Sequence, residues 1–442
     1  MFIILAATSL LYISYILLSA IKTIYFHPLS HIPGPKWRIA FPLLQHLSAI
    51  RGRLDLDLRS WHEKYGDVVR SGPDEVTFIT ADAWKDIYGH GHRQLPKVQI
   101  CTIHGKDIFS ANDVDHARFR KALSHAFSAK GLQAQECLVT RYIDKLIKRL
   151  KDFAETGRAA DMGKWYNLAT FDLIGDLAFG EPVILAFHPG SLMEMRSKQV
   201  EHAKATVRKR LNSSAAGRGD FMDSMLRHQG DKDGLSLEEL EENANVLILA
   251  GSETTAALLS GVTYWLLRTP DALDKVTREV RAAFASETDI TFNQVTAKLP
   301  YMLACLNEAF RLYPPVPGDS STKVSVHQLS AYSSPRNFHQ ADRFIPERWL
   351  PEAIEDPASP FFSDNRAVFQ PFSVGPRNCL GRNLAYTEMR VILARVLWTF
   401  DLELCEESRD WKDQKVFVIW ERSPLMCKLT MRDDRGDLQG GC

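Results

Sequence analysis

The sequence has no excess of charge of either sign: Lys plus Arg and Asp plus Glu number 54 each in 442 residues. Nucleic acid is therefore not an expected partner, since binding it takes a basic stripe. Cysteine is scarce and scattered. None of the seven, Cys101, Cys137, Cys305, Cys379, Cys405, Cys427 and Cys442, lies in a CxxC or CxxxC pair. That spacing excludes zinc knuckles and iron–sulfur clusters. The odd number argues against a disulfide framework and for a reducing compartment. Internal repeats and low-complexity tracts are missing too, and one long charge-free run stands out.

That run is Met1 to Ile21. As a helix it spans roughly 30 Å, the thickness of a bilayer's hydrocarbon core. A cleaved signal peptide is the alternative. It fits poorly, because no basic segment precedes the run and no small-x-small site closes it. Lys22, Lys36 and Arg38 follow, which places the remainder on the cytosolic side. The expected organisation is a transmembrane anchor over 1–21, a proline-rich hinge over 22–36 built on Pro33-Gly34-Pro35, and one catalytic domain over 37–442.

Beyond the hinge, Val68–Arg70 and Glu75–Ile79 flank Gly72-Pro73-Asp74 and predict a β-hairpin. Helical periodicity then dominates. Ser236 and Glu239 form a capping box, and no proline interrupts the chain until Pro270. That predicts a helix of about 33 residues, roughly 50 Å long. The expected class is mainly α with a small β portion.

The chemistry concentrates around Cys379. The loop Pro371-Phe372-Ser373-Val374-Gly375-Pro376-Arg377-Asn378-Cys379-Leu380-Gly381 presents one cysteine just before an apolar helix. A cysteine at a helix N-terminus is expected to favour thiolate, and loop amides can donate to its sulfur. The alternative for a lone cysteine is an inert buried thiol. Phe372-x-x-Gly375-x-Arg377-x-Cys379-x-Gly381 resembles, at every position, the cysteine-ligand signature of the cytochrome P450 superfamily. The resemblance implies a P450-like helical fold behind an N-terminal transmembrane helix. It also implies haem b (iron protoporphyrin IX) ligated by Cys379, a haem propionate paired with Arg377, and a thiolate shielded by Phe372 and approached closely at Gly381.

Three further segments are similar to the same family. Glu308-x-x-Arg311, with Arg348 of Pro346-Glu347-Arg348, resembles its structural Glu-x-x-Arg triad; an ordinary surface ion pair is the alternative. Ala250-Gly251-Ser252-Glu253-Thr254-Thr255 resembles its distal-helix motif, in which Thr254 would hydrogen-bond bound dioxygen and Glu253 would help relay protons. On residue types alone, this segment reads rather as a small-residue packing patch, and its hydroxyls could open the helix locally. His116 and Arg120 occupy positions where the family contacts a propionate, with His116 standing where tryptophan is usual.

Two stretches are short for the family: about 183–235, where Met193–Leu211 is polar and basic, and 318–324. They leave less chain than the family uses for the roof and one wall of its pocket. The resemblance covers the rest, and in detail is to fungal microsomal members of secondary metabolism. It implies a single-pass protein of the endoplasmic reticulum membrane with a cytosolic catalytic domain. Such an enzyme would hydroxylate or epoxidise a small apolar metabolite, using O2 and electrons from NADPH through a membrane-bound reductase. A truncated haem-binding remnant or misassigned intron is the alternative that the short stretches raise. A reductase-independent haem-thiolate isomerase or dehydratase is another, which Glu253-Thr254 disfavours.

Overall fold

The computed structural model describes residues 1–91, 94–98, 105–179, 201, 203–211, 220–226, 234–318 and 322–432. Helices form its bulk. Glu136–Thr156 buries Val139, Ile143, Leu146, Ile147 and Leu150 along one face and stops at Gly157 in the left-handed region, the usual helix terminator. Leu237–Leu267 begins at the expected Ser236–Glu239 capping box and crosses the core, with Leu258, Leu259 and Val262 wholly buried. It ends two residues earlier than its pattern predicts. The hydroxyls do not open it. Ser252 Oγ and Thr254 Oγ1 donate to the carbonyls of Ile248 and Ala250 at 2.8 and 2.6 Å, and the helix is continuous.

Met162–Phe179 packs along this long helix. A side chain at Gly251 would come within 2.7 Å of Ile174, and Thr170 Oγ1 donates to Ser252 O at 3.1 Å. Glycine is therefore what allows the two backbones to approach here. The packing alternative thus describes Gly251, while the half-exposed Thr254 lies outside that contact.

The β portion is small. Val68–Arg70 pairs antiparallel with Val76–Phe78, the predicted hairpin, and Val76–Phe78 pairs parallel with Val324–Val326. A second sheet has Met426–Met431 between Ala160–Asp161 and Phe400–Leu404. A tight hairpin joins Val416–Phe417 to Ile419–Trp420 through the single residue Val418.

At the N-terminus the apolar helix runs Phe2–Tyr25, past Ile21 and into the expected hinge. No residue before Pro28 breaks a helix, so the end of the apolar run does not end the helix. It is long and apolar enough to cross a membrane, and its apolar window is not buried by the protein. In the polar stretch before the long helix, residues 203–211 form a helix that buries Ala203 and Val207. Arg208 Nε donates to Glu241 at 2.7 Å, so the basic residues tie this helix to the long one. The glycosylation sequon Asn212-Ser213-Ser214 lies outside the described residues.

Glu308 and Arg311, on Pro300–Leu312, are wholly buried with Arg348. Arg311 donates to both Glu308 oxygens at 2.9 and 2.7 Å and to the carbonyls of Tyr332, Ala341 and Arg343. Arg348 donates to Glu308 at 3.2 Å and to Asp364 at 2.5 Å. The amide of Ile345 and the indole of Trp349 complete the carboxylate's partners, both at 2.9 Å. Burial opposes the Glu308 charge, but Arg311 and Arg348 outweigh it and hold the carboxyl below its ordinary range. A depressed folded pKa adds stability above the unfolded pKa, and this is lost as pH falls through the folded value. Glu308→Gln strands two buried cations and is expected to destabilise by about 3–5 kcal/mol. Thermal unfolding near neutral pH checks this, and the deficit should shrink towards acid pH. An equal deficit at all pH values would mean that the charge is not what matters.

Candidate active site

The loop before Arg382–Thr399 is held from within. Cys379 N donates to Phe372 O at 2.8 Å and Asn378 N donates to Gly375 O at 3.1 Å. Ser373 and Gly375 both take positive φ. A side chain at Gly375 would lie 1.7 Å from Tyr88 O, so only glycine fits. Phe372 packs edge-on against Phe310, with ring centroids 5.2 Å apart, and tilts against Tyr386 at 5.1 Å. This chain of contacts presents Cys379 outward, and its residue surface is exposed.

The surrounding protein nonetheless pushes the Cys379 thiol up. Desolvation is the largest cause, opposed by the Gly381 amide and then by Arg120 and Arg382. The expectation that the helix N-terminus favours thiolate here is corrected. The helix begins three residues beyond, after Gly381, and loss of water outweighs the Gly381 amide and the neighbouring arginines. A residue both exposed and desolvated at its sulfur faces a recess rather than open solvent.

Around it lies a concentration of positive charge. Arg120 grips Asn378, donating from Nη1 to its carbonyl at 2.7 Å and from Nη2 to its side-chain oxygen. Arg377 Nη2 donates to Ala111 O at 2.8 Å and to Asp113 at 2.9 Å. Arg377 Nη1 is buried without an acceptor. His116 is buried beside them; desolvation, then Arg377, Arg120 and Lys97, lower its pKa to about 4. It is neutral at physiological pH. Asp113, largely exposed, is the acid facing this group. Several cations, one with an unsatisfied buried donor, form a site chemically suited to an anion.

The second motif presents one open face in the middle of the long helix. Leu249 is 44% exposed, Ala250 is exposed, and Glu253 and Thr254 are half-exposed. Glu253 accepts from Asn167 Nδ2 at 2.9 Å and is ion-paired to Arg422. Nothing in the motif's spacing pointed to Arg422, which lies 169 residues away.

Sequence reasoning also missed Glu388, fully buried on Arg382–Thr399. Its side chain meets Thr255, which joins the helix after the cysteine loop to the distal motif, while its Oε1 has no partner. Desolvation pushes its pKa up to about 8 against the Thr255 hydrogen bond. The available signal was an acid at helical spacing within an otherwise apolar face. The carboxyl is neutral in the folded protein and ionised when unfolded, so stability falls as pH rises from the unfolded to the folded pKa. Glu388→Gln is expected to flatten that decline and raise the melting temperature at about pH 8 by a few degrees. Parallel pH profiles of melting temperature for the two proteins would contradict the assignment.

The comparisons with known proteins agree with these motifs. The sequence profile of the cytochrome P450 family matches residues 32–195 and 188–429. The chain is 55% identical over 474 aligned positions to the cytochrome P450 monooxygenase olcB of Penicillium canescens, covering 95% of this chain and 96% of that one. It is 52% identical to a trichothecene C-4 hydroxylase of Trichoderma arundinaceum, covering 93% and 94% respectively. It is 39% identical to an averantin hydroxylase of Dothistroma septosporum, covering 92% and 88%. The first alignment is longer than the 442-residue chain, so that relative has internal positions this chain lacks. With the profile and these relatives spanning nearly its whole length, the chain belongs to the cytochrome P450 family and is a P450 monooxygenase.

Proposed function

We propose that the chain hydroxylates or epoxidises a small apolar metabolite of secondary metabolism, with haem b held at the Cys379 recess and electrons from NADPH through a membrane-bound reductase. The observation that carries the site assignment is the pairing of an outward-facing Cys379 with a buried, unsatisfied Arg377 donor. The recess needs a soft ligand's metal on one side and an anion on the other, and iron protoporphyrin supplies both. Bound haem, with a thiolate pushing electron density to iron, supplies the O–O cleavage that oxygen insertion requires.

The protein's own part follows from its geometry. Cys379 gives up its proton on ligation, and the Gly381 amide and the Arg120 guanidinium stabilise the resulting charge. Phe372 excludes water from the sulfur's side of the loop. Arg377 directs its free donor to a propionate, and His116, neutral, adds a hydrogen-bonding group there without more positive charge. Arg120 holds the loop by Asn378 and adds to the field. On the distal helix, Thr254 Oγ1 donates to Ala250 O and would be the hydroxyl that supplies a proton to the oxygen chemistry. Glu253, paired with Arg422 and Asn167, is the acid next in line. The relatives named as hydroxylases support hydroxylation. The apolar Phe2–Tyr25 helix supports a single-pass anchor, which the reading places in the endoplasmic reticulum with the catalytic domain cytosolic.

Cys379→Ser is expected to abolish the thiolate-type Soret band of the reduced, CO-bound protein, while substitution of Cys137 or Cys405 leaves it unchanged. A band that survives Cys379→Ser would remove the ligand assignment. Thr254→Ala should keep haem but divert turnover from product to peroxide, since a positioned proton donor contributes about 10²–10⁴-fold; unchanged coupling would leave Thr254 without a role. Arg120→Ala should lose haem on mild dilution, because it frees the Asn378 clamp and removes a cation next to the sulfur. Tight haem retention in that variant would assign propionate binding to Arg377 alone.

A further inference from the structure

We propose that Trp420, Trp411 and Trp265 form an electron path that carries oxidising equivalents out of the haem recess when turnover fails to reach product. The proposal rests on the reading of Cys379 as the haem ligand.

Oxidisable rings make one unbroken chain through this part of the core. Trp420 stacks on Tyr313 with ring centroids 4.6 Å apart. Tyr313 meets Trp411 at 5.2 Å, Trp411 meets Tyr264 at 5.4 Å, and Tyr264 meets Trp265 at 5.5 Å. Trp420, Tyr313, Trp411 and Tyr264 are buried, and Trp265 is half-buried. The inner end lies towards the distal motif. A side chain at Gly261 would come within 2.7 Å of the Tyr313 ring, and Gly261 is two helical turns beyond Thr254, roughly 10 Å along the axis. Trp420 also stands two residues before Arg422, the partner of Glu253. Beside the cysteine loop the ring contacts run from Phe372 to Phe310 and Tyr386, with no indole among them.

The hydrogen bonds decide which rings can hold a charge. Trp420 Nε1 donates to Pro314 O and Trp411 Nε1 donates to Ser423 O, both at 2.7 Å. An indole that loses an electron can keep its N–H proton, and a facing carbonyl stabilises the cation left behind. A phenol oxidised in the same way must shed its proton. Tyr313 Oη donates to Gln414 Oε1 at 2.7 Å, and Tyr264 Oη donates to Arg409 O at 2.9 Å. Neither acceptor is a base, and burial pushes both phenols up. The tyrosines therefore bridge, and the tryptophans hold the charge. Neighbouring charges favour its outward movement: Arg422 acts on Tyr313 at the inner end, whereas Tyr264 feels Arg268 and, against it, Asp410 and Asp413. Each transfer moves one electron inward. Trp420 gives one to the oxidant that the monooxygenase's own oxygen activation supplies, Trp411 refills Trp420, and Trp265 refills Trp411. A thiol in solution then restores Trp265, losing one electron and its proton and leaving as a thiyl radical. No bond in the protein forms or breaks.

The test uses the haem-loaded full chain and hydrogen peroxide, without substrate. Electron paramagnetic resonance of frozen samples reads protein radicals, and mass spectrometry reads oxygen adducts on each ring. A Trp265 radical that no thiol repairs loses its proton to water and combines with O2. The expected result is a tryptophan radical signal, with adducts at Trp265 several-fold above those at Trp165. Trp165 is also half-buried, but its ring partner is Phe153 at 5.7 Å. Reduced glutathione should erase the Trp265 adducts. Trp411→Phe should cut them several-fold, move them to Trp420 and bleach the Soret band several-fold faster, whereas Tyr313→Phe, which keeps the ring, should leave the pattern unchanged. Trp265 adducts at the parent level in Trp411→Phe would overturn the proposal, as would equal adducts at Trp265 and Trp165. Should Trp411→Phe not fold, Trp265→Phe at the half-buried end decides: adducts gathering at Trp411 support the path, and adducts that bypass Trp411 overturn it. Either failure leaves the Soret band in place, whereas a protein that takes up no haem would overturn the haem reading together with this one.

Discussion

Glu308 carries a charge with no access to water, and a buried charge is tolerated only when fully paired. Its carboxylate is shared by Arg311, Arg348, the Trp349 indole and the Ile345 amide. Arg311 goes on to hold the Tyr332 carbonyl, and the Tyr332 hydroxyl accepts from Gln370 N at 2.9 Å, immediately before the cysteine loop. On the same helix Phe310 packs against Phe372 within that loop. The position of Cys379 thus depends on a carboxylate about seventy residues earlier in the chain, through rigid intermediates of which each is itself satisfied. Arg366 strengthens the same frame by donating to the Arg348 carbonyl.

The active-site recess is built on the opposite principle. There, polar groups are left short of partners: Arg377 has a buried donor without an acceptor, and Glu388 has a buried oxygen without a donor. Such groups cost folding free energy unless something completes them. The structural triad and the recess thereby divide the labour. The Glu308 carboxylate is fully paired, whereas Arg377 and Glu388 each keep a buried polar atom without a partner. Burial acts on Cys379, His116 and Glu388 in the same way, favouring the neutral form of each, so the positive charge around Cys379 and His116 comes from Arg120, Arg377, Arg382 and Lys97.

The long helix presents an open face from Leu249 to Thr254, and the chain is also shorter than its relatives. Relatives carry internal positions that this chain does not, and the family profile matches in two pieces that meet at 188–195. Leu249 on this face is 44% exposed. Glu253 on this face is held by Arg422 and by Asn167.

The local features of the chain were determined by sequence alone, because each depends on neighbours within a few residues. The Ser236–Glu239 capping box set the start of the long helix, Gly157 closed another, and Gly72-Pro73-Asp74 turned the first hairpin. The ten-residue spacing around Cys379 and the Glu308–Arg311 pair were legible for the same reason. What lies far apart in sequence was decided only by tertiary structure. Arg422 reaches Glu253 from the C-terminal hairpin, Arg120 spends its donors on Asn378, and Glu388 meets Thr255 across a helix pair. The sign of the Cys379 shift was also misjudged from sequence, since a helix dipole can be inferred from position but the depth of desolvation cannot. Nor could periodicity reveal which face of the Leu43–Ile50 helix would look outward. An apolar stripe reads as core from sequence, and only the packing of Ser48 against Asp57 turned it to the surface.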